Sequence, residues 1–397
     1  MNQRMVTPRF LLVMGATLAY YLSVGILVPV LPVFIENGLA SGEAMIGIAA
    51  VAFSMAAVLS RPAITWVGNR FGRRSMMVWG GVLGGVAAIA HVMVSNPWQL
   101  LPLRALMGIG EAALFVGAST VIIELSPPHR RAEAASYLSL SVFGGLSVGP
   151  IVGELLMGKV PKGAEGLDVG RFDSVFVVMA IAALLAAVVS TVAPKWGSSG
   201  GPVETQRFVW FQRDALLPGI VLAGGVITYT AFSSFVPTYA KEIGLGGAAP
   251  FFTAYSVLCL IIRFVGAKWP EAWGLRRSVA MAMTSLFAGT LVIAVLASEA
   301  GIWIGTLLMG FGMSFLYPSL LAMSVQRVSD VDRVAVVSSF TMFFEIGAAV
   351  GGFTLGMVGE EFGKRSTFLV GSLFAAAAFV MLVYERNRHV ARRAVAQ

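Results

Sequence analysis

Charge is scarce in this chain of 397 residues: Asp, Glu, Lys and Arg make up 12% of it, about half the share of an ordinary soluble domain. With 57% hydrophobic residues there is too little polar surface to cover a water-facing globule. A soluble enzyme, a disordered chain and a nucleic-acid-binding domain are excluded on that ground. Cysteine is nearly absent; Cys259 stands alone, so no intramolecular disulfide can form. Three histidines (His91, His129 and His389) lie far apart and offer no metal-ligand cluster. No glycine-rich phosphate loop is present, which argues against ATP-driven transport. No cofactor and no metal are expected.

What the chain has in quantity is long apolar runs. A membrane-crossing helix needs about 20 mostly apolar residues, and twelve runs qualify: 10–34, 44–67, 75–95, 99–123, 134–156, 174–193, 217–240, 250–267, 278–297, 301–325, 334–358 and 366–384. The first is too long for a signal peptide and contains Pro29 and Pro32. Twelve crossings leave both termini on one side. Nineteen of the 28 Lys and Arg then lie on that side, six on the other, and Arg61, Arg104 and Arg263 within spans. Because cytoplasmic loops collect Lys and Arg, both termini are expected in the cytoplasm, and the net charge of +8 needs no nucleic acid to explain it.

The expected fold class is an all-α polytopic membrane protein with twelve transmembrane helices in two pseudo-symmetric six-helix halves. The halves are 1–193 and 217–397, the second ending in a short basic cytoplasmic tail. A cytoplasmic linker, 194–216, joins them, with a Gly/Ser-rich hinge and an interfacial helix at Phe208–Phe211. An internal repeat supports the division. Arg61 and Gly72 recur as Arg263 and Gly274, Gly108 and Gly110 as Gly310 and Gly312, Arg131 as Arg333, and Gly145 and Gly149 as Gly347 and Gly351, each at an offset of 202. Two homologous bundles about an axis along the membrane normal place a substrate path between them.

Three stretches carry chemistry. The loop after the second run reads Gly68-Asn69-Arg70-Phe71-Gly72-Arg73-Arg74. In the fourth run Arg104 and Glu111 stand seven apart in a Gly108-Ile-Gly110 context, on one helix face but about 10 Å apart in depth. A charge facing lipid costs about 2.5–3.5 kcal/mol or more, so both must face protein or water; a structural salt bridge and a coupling or substrate role are the two readings. The fifth run holds Gly145, Gly149, Pro150 and Gly153, small residues that let helices approach closely and a proline that permits a bend. In the eleventh run Glu345 sits mid-membrane on a narrow polar stripe with Ser338 and Thr341, a functional-site candidate by default; the alternative is a neutral, hydrogen-bonded structural residue.

These stretches resemble the major facilitator superfamily over essentially the whole chain. The loop is similar to that family's inter-helix signature, with Thr65 and Asn69 where Gly and Asp are usual. The resemblance implies an inward-gate latch, with Arg70 or Arg74 near Glu124. The Arg104–Glu111 stretch is similar to the arginine motif of proton-driven members, and the Gly145–Gly153 stretch resembles that of exporters working as antiporters. The resemblance is closest to the twelve-helix drug:proton antiporter branch, although the first span holds Tyr20, Tyr21 and Ser23 but no acid.

The resulting expectation is a secondary active transporter, not an enzyme. It would export a small amphiphilic compound against protons by alternating access, as in multidrug resistance. Glu345, Glu111 and Arg104 are the proton-coupling or substrate residues. Tyr20, Tyr21, Tyr229, Phe232, Phe235, Phe311, Phe315 and Phe344 are the candidate pocket lining, where rings suit planar or cationic compounds. The partners are the small-molecule substrate, protons and the lipid bilayer, and the chain is expected to act as a monomer. Twenty-two Arg against six Lys, with abundant Ala, Val and Gly, points to a bacterial cytoplasmic (inner) membrane. A metabolite or sugar exporter or importer of the same fold is the first alternative. A polytopic membrane enzyme or a non-transporting receptor is the second, disfavoured because Glu165, Asp168, Asp173, Glu360 and Glu361 form no catalytic spacing.

Overall fold

The computed structural model describes residues 6–41, 43–158, 172–192, 211–245, 248–326, 328–329 and 332–395. Most of the linker (193–210), with the interfacial helix expected at Phe208–Phe211 up to its last residue, lies outside them, as do the basic residues Lys159, Lys162, Arg171 and Arg207. The regular structure among the described residues is helical. In chain order it comprises α1 (Pro8–Val33, continued by a π turn over Phe34–Gly38), α2 (Glu43–Leu59), α3 (Arg61–Phe71), α4 (Arg73–Ala90), α5 (Pro97–Leu125), α6 (Arg131–Met157) and α7 (Phe172–Val192). There follow α8 (Arg213–Glu242), α9 (Ala249–Val265), α10 (Trp269–Trp273), α11 (Leu275–Leu296), α12 (Glu299–Ser324), α13 (Arg333–Phe362) and α14 (Lys364–Val395).

All twelve apolar runs of the sequence are carried by helices. Among the described residues ten helices are long and apolar enough to cross a bilayer, and α2 and α3 meet the same requirement only as a pair, bent by 45° at their junction. The remaining run is α9, a shorter apolar helix. The second run was expected to be continuous; it breaks at Ser60 because Pro62, in the first turn of α3, has no N–H for a bond to the preceding turn and its ring crowds the carbonyl four residues back.

Local chemistry sets the other ends. Pro8 opens α1 behind Thr7, whose hydroxyl accepts the Phe10 N–H at 3.3 Å. Asn96 and Gln99 form a reciprocal capping box at the start of α5. Gly72 and Gly274, 202 residues apart, adopt φ of 86° and 88° between a short helix and the next span. Glycine reaches that region without the Cβ clash other residues suffer.

The described residues fall into two compact units. The first comprises Met1–Pro127, Tyr137–Trp210 and Ser329–Ser338; the second comprises Pro128–Ser136, Phe211–Val328 and Ser339–Gln397. In the first, α4 packs against α5 and α7, α1 against α5 and α7, and α2 against α5. Glycines permit the approach: a Cβ on Gly80 would strike the Gly110 carbonyl and Leu114, and one on Gly84 the Tyr20 ring. On α6, Gly145 and Gly149 lie directly against the α1 backbone around Tyr21, Leu22 and Gly25. In the second unit α11 packs on α12 and α14, and α8 on α12 and α14, while Gly347 and Gly351 of α13 meet the α8 backbone at Ala223 and Ile227. Large apolar side chains such as Leu155 (76% exposed) and Phe353 (72%) point outward, as the lipid-facing surface of a membrane protein requires.

The α1–α6 contact generates a prediction. A Cβ on Gly149 would stand 2.5–2.6 Å from backbone atoms of Gly25 and Ile26, whereas one on Gly15 would meet nothing within 4 Å. Gly149→Ala is expected to destabilise the protein by about 1–3 kcal/mol, read as a lower thermal unfolding midpoint in detergent. Gly15→Ala should leave that midpoint unchanged.

Candidate functional site

In the first unit, α5 presents its polar residues to α1. Glu111, 8% exposed, accepts a hydrogen bond from the Tyr21 hydroxyl. The neighbouring Tyr20, 1% exposed, donates to the Met107 carbonyl at 3.3 Å. The two tyrosine rings meet edge to face at 6.0 Å, and Tyr21 does the same with Phe115. These contacts need no strand or loop. Consecutive tyrosines on α1 diverge by about 100°, so one reaches a carbonyl and the next a carboxylate on the same facing helix.

Arg104 is placed differently from the salt bridge the sequence left open. Its guanidinium lies 4.8 Å from the centre of the Phe53 ring, a cation–π contact. Its Nη1 approaches the Met107 sulfur at 4.0 Å. Its Nε is buried with no hydrogen bond. Among the described residues Arg104 has no carboxylate partner; Glu111, two turns along the same helix, turns to Tyr21 instead. Phe53 and Met107 carry no motif and could not have been singled out from the sequence. Near these groups His91 is buried, its Nδ1 2.7 Å from the Ala87 carbonyl and its ring 5.1 Å from that of Phe176.

The inter-helix loop also differs in detail. It is Arg73, not Arg70 or Arg74, that pairs with Glu124, Nε to Oε1 at 3.1 Å. Arg73 Nη1 also donates to the Gly68 carbonyl at 3.3 Å. The reason is the left-handed turn at Gly72, which starts α4 at Arg73 and aims that side chain inward. Arg70 ends exposed, 5.9 Å from the Phe71 ring; Arg74 and Asn69 are half-buried. No side chain caps α4, whose N-cap is Gly72 itself.

Pro150 lies inside α6, following Gly149, and Gly153 packs on the Ile26 carbonyl of α1. In the second unit Glu345 is half-buried on α13 beside Phe344, with Thr341 of its stripe buried; Ser338, also buried, falls in the first unit. The aromatic residues form two groups. Tyr229 stacks on Tyr255 at 5.6 Å, and Phe232 contacts both Tyr255 and Phe252 at 5.4 Å. Phe315 meets Phe311 at 5.0 Å and also Trp269 and Trp273 of α10, while Phe235 packs against Gly359. Trp269, Trp273 and Tyr255 complete these groups and carry no motif.

A buried ion pair broken from one side leaves an uncompensated charge, at a cost of about 3–5 kcal/mol. Here Arg73 is buried but Glu124 only part-buried, with side chains 5% and 14% exposed, and Arg73 keeps its bond to the Gly68 carbonyl, so a smaller cost of about 1–3 kcal/mol applies. Glu124→Ala and Arg73→Ala are each expected to lower unfolding stability by about that amount, and Arg70→Ala by less than about 0.5 kcal/mol. Denaturant titration in detergent compares the three.

The chain matches the profile of the Major Facilitator Superfamily over residues 13–298 and 251–397. It is 24% identical over 384 residues to an uncharacterized MFS-type transporter of Salmonella typhimurium, covering 92% of this chain and 94% of that one. It is likewise 24% identical over 394 residues to an uncharacterized MFS-type transporter of Burkholderia mallei, covering 96% and 93%. Among solved structures it is similar to the human organic anion transporter MFSD10 (TM-score 0.79, 16% identity, 95% of this chain and 100% of that one). It is also similar to the Escherichia coli fucose:proton symporter FucP (TM-score 0.78, 18% identity, 94% and 98%).

Proposed function

The chain belongs to the Major Facilitator Superfamily, and from that premise we propose that this multi-pass secondary transporter exports a small amphiphilic compound in exchange for protons by alternating access. We place it as a monomer in a bacterial inner membrane, with both termini cytoplasmic. The 19-to-6 distribution of basic residues supports that orientation, and the bacterial relatives support the location.

The observation that carries the coupling is the separation of Glu111 from Arg104. A carboxylate locked to an arginine stays ionised, whereas one held by a neutral hydroxyl donor can take up and release a proton while keeping its position. In the cycle, Glu111 accepts a proton from the outside-open state. The Tyr21 hydroxyl keeps the carboxyl oriented in both protonation forms, donating to the anion and able to rotate when the acid is neutral. Release to the inside regenerates the anion, and cargo binding inside competes with the next protonation. Protonation and cargo binding exclude one another in each half-cycle, and no covalent step is involved. Glu345 is the second carboxylate on which the cycle can draw.

Arg104 favours a second reading, export of an organic anion. An intramembrane cation resting on an aromatic face with a buried, unbonded Nε is a receptor for a carboxylate or sulfonate group on the cargo. The two readings differ in the charge of the cargo and share the coupling.

Accumulation of cationic, neutral and anionic fluorescent compounds in an efflux-deficient bacterium tests both. Wild-type protein is expected to lower accumulation of one charge class, and an uncoupler to abolish the effect. Glu111→Gln should reduce uphill export to the uncoupled level while downhill exchange continues. If Glu111→Gln and Glu345→Gln both leave uncoupler-sensitive export intact, the mechanism is wrong. Arg104→Gln should abolish export of anionic dyes selectively if the cargo is an anion, with Arg104→Lys restoring part of it.

A further inference from the structure

Glu271 lies on α10, between two membrane spans, and belongs to no motif. It stands 202 residues after Asn69, so the recurrence puts a carboxyl in the second copy where the first has an amide. Its Oε1 accepts two backbone N–H bonds from the first turn of α6, from Ala132 at 2.5 Å and from Glu133 at 3.0 Å. Its Oε2 is buried with no hydrogen-bond partner among the described residues. The segment Pro128–Ser136, which clusters with the second unit, is held there by a second bond as well. Arg131 Nη1 donates to the Val325 carbonyl at the end of α12, at 2.7 Å.

A carboxylate on the first-turn amides of a helix is favourable because those N–H groups have no partner within the helix and carry the positive end of its dipole. Two features oppose the charge here. One oxygen is shut away from water unbonded, and Glu133, 2% exposed, brings a second carboxylate alongside. Arg130 already claims both Glu133 oxygens, at 2.6 and 2.8 Å. The other charged side chains at this end of the packed elements are His129 before α6, Lys268 before α10, and Arg276 and Arg277 at the start of α11; on α12, Tyr317 lies about two turns before its end and Glu299 at its opposite end.

We propose that Glu271 is a proton-binding site outside the membrane spans, and that its occupancy sets how firmly the first turn of α6 is fixed to the second unit. The proton resides on Oε2, the oxygen with no partner, so Oε1 keeps both amide bonds in either form. Burial, reinforced by Glu133, holds this carboxyl above its usual 4.5, at about 7, against the lowering pull of the amides. Freed into water it returns to the ordinary range. The docked form therefore binds the proton more tightly than the freed form. By linkage, acid favours docking and alkali favours release. A carboxyl that titrates at about 7 docked and 4.5 free shifts the docking equilibrium about tenfold between pH 8 and pH 6. Each release from the protonated form hands its proton to the adjacent solution. None of this depends on what the transporter carries.

Two measurements on the full chain in lipid nanodiscs test the proposal without any transport assay. Infrared difference spectra across pH should contain a protonated-carboxyl band with a midpoint near 7 that Glu271→Gln removes and Glu111→Gln retains. Hydrogen exchange at residues 131–136, corrected for intrinsic rates, should slow about tenfold from pH 8 to pH 6 in the wild type and be independent of pH in Glu271→Gln. A band near 7 whose amplitude Glu271→Gln does not reduce, or exchange in the wild type that does not respond to pH, overturns the proposal. Should Glu271→Gln fail to fold, Ala132→Pro removes one of the two amide donors in the first turn of α6, where the lost N–H has no partner within the helix. The midpoint must then move upward, and an unmoved midpoint rejects the site.

Discussion

A lipid interior offers no hydrogen-bonding solvent, and that single lack organises this molecule. Each backbone N–H and C=O at that depth must find its partner within the chain, which leaves the helix as the means of crossing. Every ionised side chain there must be enclosed by protein. The low charge of the sequence and the placement of its few intramembrane ions are two expressions of one constraint. Arg263 is buried against the Met313 carbonyl, Arg104 rests on Phe53, and Glu111 is met by Tyr21. Each finds a different solution, because each faces a different neighbouring helix.

The crossings and the principal turns were legible from the sequence because they depend on local composition. Twenty apolar residues in a row can do little else, and the recurrence of Gly72 as Gly274 announced two equivalent turns, which the structure gives nearly the same φ. Choices made across space were not legible. Arg70, Arg73 and Arg74 are equivalent as basic residues; only the turn at Gly72, by fixing where α4 begins, decides that Arg73 faces Glu124. Similarly, a spacing of seven put Arg104 and Glu111 on one face, yet their difference in depth assigned each to its own partner on another helix. The break at Ser60 was readable in principle from Pro62, but the apolar run around it masked the signal.

The recurrence at 202 residues reproduces the scaffold and not the chemistry. Where the first copy has Arg104 and Glu111, the second has Thr306 and Met313; where the first has Asn69, the second has Glu271. The glycines at 108, 110, 145 and 149 recur in the second copy, whereas Gly80 and Gly84 give way to Ala282 and Leu286. Once packing is fixed by small residues, neighbouring positions are free to take or lose charge, since a substitution there does not alter how the helices approach.

The α1–α6 contact, finally, has an evolutionary corollary. Gly25 and Gly149 touch through backbone atoms, so neither partner has a side chain to trim. A pair of ordinary core residues can drift together, one shrinking as the other grows. Here a larger residue on one helix has nothing smaller to meet on the other. Among homologues sharing this geometry, these positions should show fixation without covariation. A contact map inferred from correlated substitutions would then be blank where the two helices are nearest.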